Sequence, residues 1–143
     1  MAAEYSYPLQ TVAADANILF LEGVRACRKG YVQHLDNSGI FTLRGVTNQC
    51  RACYKVQFNA NIAIATGGTV EQPISVALAI NGEPLANATA IVTPAAVGAF
   101  YNVSFATFVN VPCGCCLTVS IRNTSDTTAI DVTNANVIID RVA

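Results

Sequence analysis

Six cysteines in 143 residues are the side chains of this sequence best equipped for chemistry, and five of them fall in two tight groups. Cys27 stands alone, Cys50-Arg51-Ala52-Cys53 is a C-x2-C pair, and Cys113-Gly114-Cys115-Cys116 holds three more. The residues leave three readings open. Cys50, Cys53, Cys113 and Cys115 offer the four thiolates that a structural zinc ion takes in tetrahedral geometry. Any of Cys27, Cys50, Cys53, Cys113, Cys115 and Cys116 can join a disulfide once the protein leaves a reducing compartment, stapling loops or adjacent subunits. Unpaired Cys is also among the most buried residue types, so burial as small apolar side chains is the third reading. Strand geometry weighs against zinc. In extended chain Cys50 and Cys53 point to opposite faces, as do Cys115 and Cys116, and only a turn or bulge brings either pair to one ion. The expectation is no metal, no other cofactor and no catalytic cysteine.

The remaining reactive types are sparse. His34 is the sole histidine, with neither a G-x-S-x-G elbow nor an H-E-x-x-H helix beside it, and is expected at a surface or interface. The nine carboxylates are scattered singly, with no D-x-D-x-D-G calcium loop and no acid pair for glycoside cleavage. Asn87-Ala-Thr89, Asn102-Val-Ser104 and Asn123-Thr-Ser125 match the glycosylation triplet but arise by chance in an Asn- and Thr-rich chain, and are assigned no function. No enzymatic activity is expected.

The elements that must position these residues read as β throughout. Alternation of apolar and polar residues recurs at short intervals, while helical periodicity is almost absent. One run spans Thr11 to Leu21, preceded by a short N-terminal arm over about residues 1–10. Tyr31 to Leu35 leads through Asn37-Ser38-Gly39, a turn signal, into Ile40 to Arg44. From Tyr54 to Ile64 the apolar residues Tyr54, Val56, Phe58, Ala60, Ile62 and Ile64 share one face, with Lys55, Gln57, Asn59 and Asn61 on the wet one. Ile74 to Ile80 meets Asn81-Gly82, which supplies the positive φ angles of a two-residue hairpin, and Leu85 to Thr93 returns. Phe100 to Val111, Leu117 to Asn123 and Ile130 to Val142 complete eight to ten strands in one domain, a two-sheet sandwich or jelly roll.

Composition points to partners. Apolar residues make up 52% of the chain and charged ones only 12%, against about 25% in ordinary soluble domains. A small domain so poor in charge is expected to hide outer surface against copies of itself. Tyr54, Phe58, Phe100, Tyr101, Phe105 and Phe108 are the aromatic stock of the central strands. They are expected to divide between the core and a subunit interface, because one sandwich is not expected to hide so much apolar area internally. A net charge of −1 offers no field for nucleic acid. The first residues have no signal-peptide pattern and no segment has the apolar length of a membrane helix, so synthesis in the cytosol without membrane entry is expected.

Several stretches resemble the globular heads of the C1q and tumour necrosis factor superfamily, in particular the C-terminal domains of bacterial collagen-like and spore-surface fibres. They are Ser38-Gly-Ile-Phe-Thr-Leu-Arg-Gly45, Tyr54-Lys-Val-Gln-Phe-Asn-Ala-Asn61, Ile80-Asn-Gly-Glu-Pro-Leu85, Val109-Asn-Val-Pro112 and Asn134-Ala-Asn-Val-Ile-Ile-Asp-Arg-Val-Ala143. The resemblance implies a ten-strand antiparallel jelly roll that forms homotrimers about an axis lined with apolar and aromatic side chains. It also implies termini near the base and no catalysis. The chain departs from the fibre pattern in having no Gly-X-Y repeat, and stand-alone proteins of this look resemble bacteriophage and prophage structural products. A stalkless trimer needs a seat, and a capsid lattice offers three-fold positions. The expectation is a decoration protein on the outside of a phage head, with the major capsid protein as partner. The alternative is a bacterial surface or spore-coat module that binds glycans or receptors through apical loops around Gly67 to Gln72 or Thr124 to Thr128.

Overall fold

The computed structural model describes residues 2–25, 31–34, 37–67, 73–125 and 128–143. The strands are β1 (Ala2–Val12), β2 (Leu21–Arg25), β3 (Val32–His34), β4 (Phe41–Arg44), β5 (Arg51–Ile64), β6 (Ile74–Ile80), β7 (Glu83–Val92), β8 (Tyr101–Pro112), β9 (Cys116–Asn123) and β10 (Ile130–Arg141). They form two five-stranded sheets with the orders β2-β1-β10-β5-β8 and β3-β4-β9-β6-β7. All pairings are antiparallel. This is the jelly-roll sandwich expected of the alternating pattern.

Alternation sets which side of each strand is dry. On β5, Tyr54, Val56, Phe58, Ala60, Ile62 and Ile64 are buried to within about 1%. The Asn81-Gly82 hairpin has φ of 51° and 88°, the pair of positive angles that a tight turn between right-twisted strands requires. Between the sheets the core is continuous, and aromatic rings weld it. Tyr5 lies 5.0 Å from Phe41, Phe20 lies 5.5 Å from Phe41, and Phe58 lies 5.4 Å from Phe105.

Two expectations need correction. Residues 2–12 are a strand bonded on both sides, to β10 and β2, rather than an arm, because Ala3 and Tyr5 alternate with Glu4 and Ser6 and enter the core. The run from Thr11 to Leu21 is two pieces. Asp15 turns the chain at φ 62°, and residues 16–20 cross to the other sheet, where the Ile18 amide donates to the Ile121 carbonyl at 2.7 Å. His34 is half-buried: its ring stacks on Phe41 at 4.4 Å and 17° and its Nε2 lies 2.7 Å from the Ser38 carbonyl oxygen.

Candidate functional site

Two features gather the residues singled out by type. The first is a thiol-bearing pole. β5 starts and β8 ends at the same end of the sandwich, so the C-x2-C pair and the C-x-C-C group meet there. The loop after β4 and the loop after β8 are knitted by backbone bonds. The Gly45 amide donates to the Cys115 carbonyl at 2.8 Å, the Gly114 amide to the Gly45 carbonyl at 3.0 Å, and the Cys113 amide to the Cys50 carbonyl at 3.0 Å. The Cys113 thiol donates to the Thr47 carbonyl at 3.0 Å. Gly45 is what permits this contact: a Cβ there would lie 2.1 Å from the Pro112 carbonyl oxygen and 3.0 Å from that of Cys115. The chain termini share the pole, since Ala2 pairs with Asp140 and the Cys53 amide donates to the Ala143 carbonyl at 3.2 Å.

Burial decides against one of the three cysteine readings. Cys50, Cys113, Cys115 and Cys116 are exposed and Cys53 is half-buried, all as free thiols, so they are not apolar filler of the core. Nor do they converge on a point. Among the described residues no three Cys, His, Asp or Glu side chains are grouped to hold a metal ion, because Cys53 lies opposite Asn110 in one sheet while Cys116 lies opposite Arg44 in the other. Cys27 lies outside the described residues.

The second feature is the outer face of β10, β5 and β8. Three successive rows across it are Ile138, Gln57 and Ala106; Asn136, Asn59 and Ser104; and Thr133, Asn61 and Asn102. These three strands place no charged side chain in the rows, and the Glu4 carboxylate of neighbouring β1 accepts from the Asn136 amide at 3.1 Å. Lys55 and Asp140 flank them at one end and Asp131 at the other. At the Lys55 end, Phe108 projects from β8 with 61% of its surface exposed. The aromatic stock is thus divided. Tyr54 and Phe58 are core, Phe105 is partly buried against Phe58, and Phe100, Tyr101 and Phe108 are exposed, the first two at the opposite end of β8 from the thiols. Neutral amides and hydroxyls, rather than apolar side chains, supply most of the three outer rows of β10, β5 and β8.

At the end remote from the thiols, composition gave no sign of a central role for Asn123. It is fully buried; its Nδ2 donates to the carbonyls of Val12, Ala13 and Thr128 at 3.1–3.2 Å, and its Oδ1 accepts from the Ser125 amide at 3.0 Å. The Asn-Thr-Ser triplet there is a structural clasp, closed to glycosylation.

No protein-family model matches the sequence, and no curated protein matches it either. Solved structures do. Eiger TNF from S. frugiperda superposes with a TM-score of 0.68 at 14% identity, covering 100% of this chain and 92% of that one. Murine APRIL gives 0.55 at 13% identity over 94% and 99% of the two chains, and the globular domain of the zebrafish complement 1qA protein gives 0.55 at 13% over 99% and 97%. Identities this low speak to architecture alone. With two sheets ordered as above and end-to-end superposition on both branches, the fold of this chain is the C1q/TNF-like jelly roll.

Proposed function

We propose that this protein is a non-enzymatic structural protein that works as a homotrimer, seated as a decoration protein on the outside of a bacteriophage capsid. The observation that carries self-association is the uncharged tract across β10, β5 and β8 beside the exposed Phe108. Interface centres are depleted of charge and enriched in aromatic residues, because burying an unpaired ion costs several kcal/mol and burying a ring is favourable. A neutral, amide-rich tract with one projecting ring beside it meets both conditions, and its amides can bond across to a second copy. The pairing with a shell protein rests on the resemblance of the sequence to phage structural products.

Two measurements test the reading. Sedimentation of the full chain at low micromolar concentration is expected to give three chain masses, and Phe108→Asp is expected to shift it to one with far-ultraviolet dichroism unchanged. A compact wild-type monomer overturns the trimer. Proteomics of purified virions, with surface labelling, is expected to find the protein outside the shell; its absence, or saturable glycan binding by the trimer in place of capsid binding, favours the surface-module alternative.

A further inference from the structure

We infer that Cys50 and Cys113 are the two halves of a reversible cross-strand disulfide that clasps the thiol-bearing pole. They belong to different groups in the sequence but to one ladder in space. β5 and β8 stay in register down to Arg51 opposite Pro112, and the Cys113 amide donates to the Cys50 carbonyl at 3.0 Å, which carries the register one step further and sets Cys50 opposite Cys113. Pro112, having no N–H, occupies the adjacent position, which makes no ladder bond. Opposed hydrogen-bonded residues of an antiparallel pair have Cα atoms about 5.5 Å apart, within the roughly 4.4–6.8 Å that a disulfide spans.

Face and access agree with this pairing. Cross-strand partners point the same way. Cys50 shares parity with Ala52 and Tyr54, and Cys113 with Val109 and Val111, all of them buried, so the two thiols sit on one side just past the end of the core. Parity removes Cys53, three residues after Cys50 and one off the buried Ala52 and Tyr54, to the other face, and Cys116 belongs to the other sheet. Both partners are exposed, so a soluble oxidant reaches them. The loops are already held together by the Gly45 and Gly114 amides, so closing the bond asks only that Cys113 release the Thr47 carbonyl.

The chemistry is thiol–disulfide exchange with a small-molecule disulfide such as oxidised glutathione. The Cys50 thiolate attacks one sulfur of the oxidant, forming a mixed disulfide and expelling one small thiolate. The Cys113 thiolate attacks the Cys50 sulfur of that mixed disulfide and expels the second. The two protons leaving the protein thiols end on the two expelled thiols, and one oxidant is reduced for each clasp formed. Reversing the thiol-to-disulfide ratio of the medium opens it again.

The arginines and lysines make the test direct. Trypsin cuts after Arg44, Arg51, Lys55 and Arg122, so Cys50 is released in Gly45–Arg51, Cys53 in Ala52–Lys55, and Cys113 with Cys115 and Cys116 in Val56–Arg122. The full chain, reduced and then oxidised with glutathione disulfide, is alkylated, and its single-chain band from a non-reducing gel is digested. The bulk of Gly45–Arg51 is expected joined to Val56–Arg122, with fragmentation placing the bond at Cys113. The link is expected to survive in the Cys115→Ser, Cys116→Ser double variant and to vanish in Cys113→Ser, where Cys50 is recovered in an unlinked Gly45–Arg51 peptide, either alkylated or as its mixed disulfide with glutathione. Cys50 left free after oxidation, joined to Ala52–Lys55, to the Cys27 peptide, to Cys115 or to Cys116, or linked only between chains, would overturn the assignment.

Discussion

The hydroxyl of Tyr54, on β5, donates to the backbone carbonyl of Arg44, on β4, at 2.6 Å, and so ties one sheet of the sandwich to the other. The same oxygen lies 3.3 Å from the Tyr31 carbonyl, which also accepts from the Arg44 amide, and the Arg141 guanidinium covers the Tyr31 ring at 4.3 Å. A phenol at this position therefore does two jobs, filling the core with its ring and giving the Arg44 carbonyl a donor with its hydroxyl.

Tyr54→Phe separates them. The ring stays and the hydroxyl goes, leaving the Arg44 carbonyl short of a donor in a site where Tyr54 is fully buried. The expected loss is about 1–2 kcal/mol, read as a lower midpoint in urea with an unchanged slope.

Gly45→Ala tests the packing of the pole. The added methyl would lie 2.1 Å from a carbonyl oxygen of the backbone, which has no rotamer to yield, so the loop must shift away from Pro112 and Cys115. A loss of about 2 kcal/mol or more is expected, with faster alkylation of Cys113 as its bond to Thr47 loosens. Unchanged thermal stability together with unchanged thiol reactivity contradicts the account.

Asn123→Ala removes donors from three carbonyls and an acceptor from one amide at once. Each group left dry costs about 1–3 kcal/mol, so the variant is expected to be among the least stable single changes in the protein. Hydrogen exchange should speed up first at the Ser125 amide and in the turn after Val12, well before the central strands.

The strands that were legible in the sequence are those whose alternation runs unbroken. β6 with the Asn81-Gly82 turn emerges residue for residue, and β5 from Tyr54 to Ile64, short of its first three residues. Legibility failed where the period slips. In β10 the register to β5 shifts between Thr133 and Asn136, with Asn134 at φ 56°, so Val132 and Ala135 both face inward, which strict period 2 forbids. It failed again at Asp15, whose left-handed turn lies inside what reads as one apolar run. The thiol site shows the deeper limit. Alternation sets Cys50 and Cys53 on opposite faces, but which cysteine faces which depends on the register of strands about fifty residues apart, and no local pattern encodes that. The aromatic residues followed the same rule: Phe58 and Phe108 share a type and a sheet, and only parity sends one to the core and the other to water.

Placing both chain ends beside the thiols has a practical outcome for display. A peptide spliced after Ala143 would emerge next to Cys53, and one ahead of Ala2 beside Asp140, so payloads added at either end crowd the face that carries the reactive sulfurs. The Gly98 turn is at the far end, with open space around its α-carbon, and an epitope inserted there would point away from that crowding.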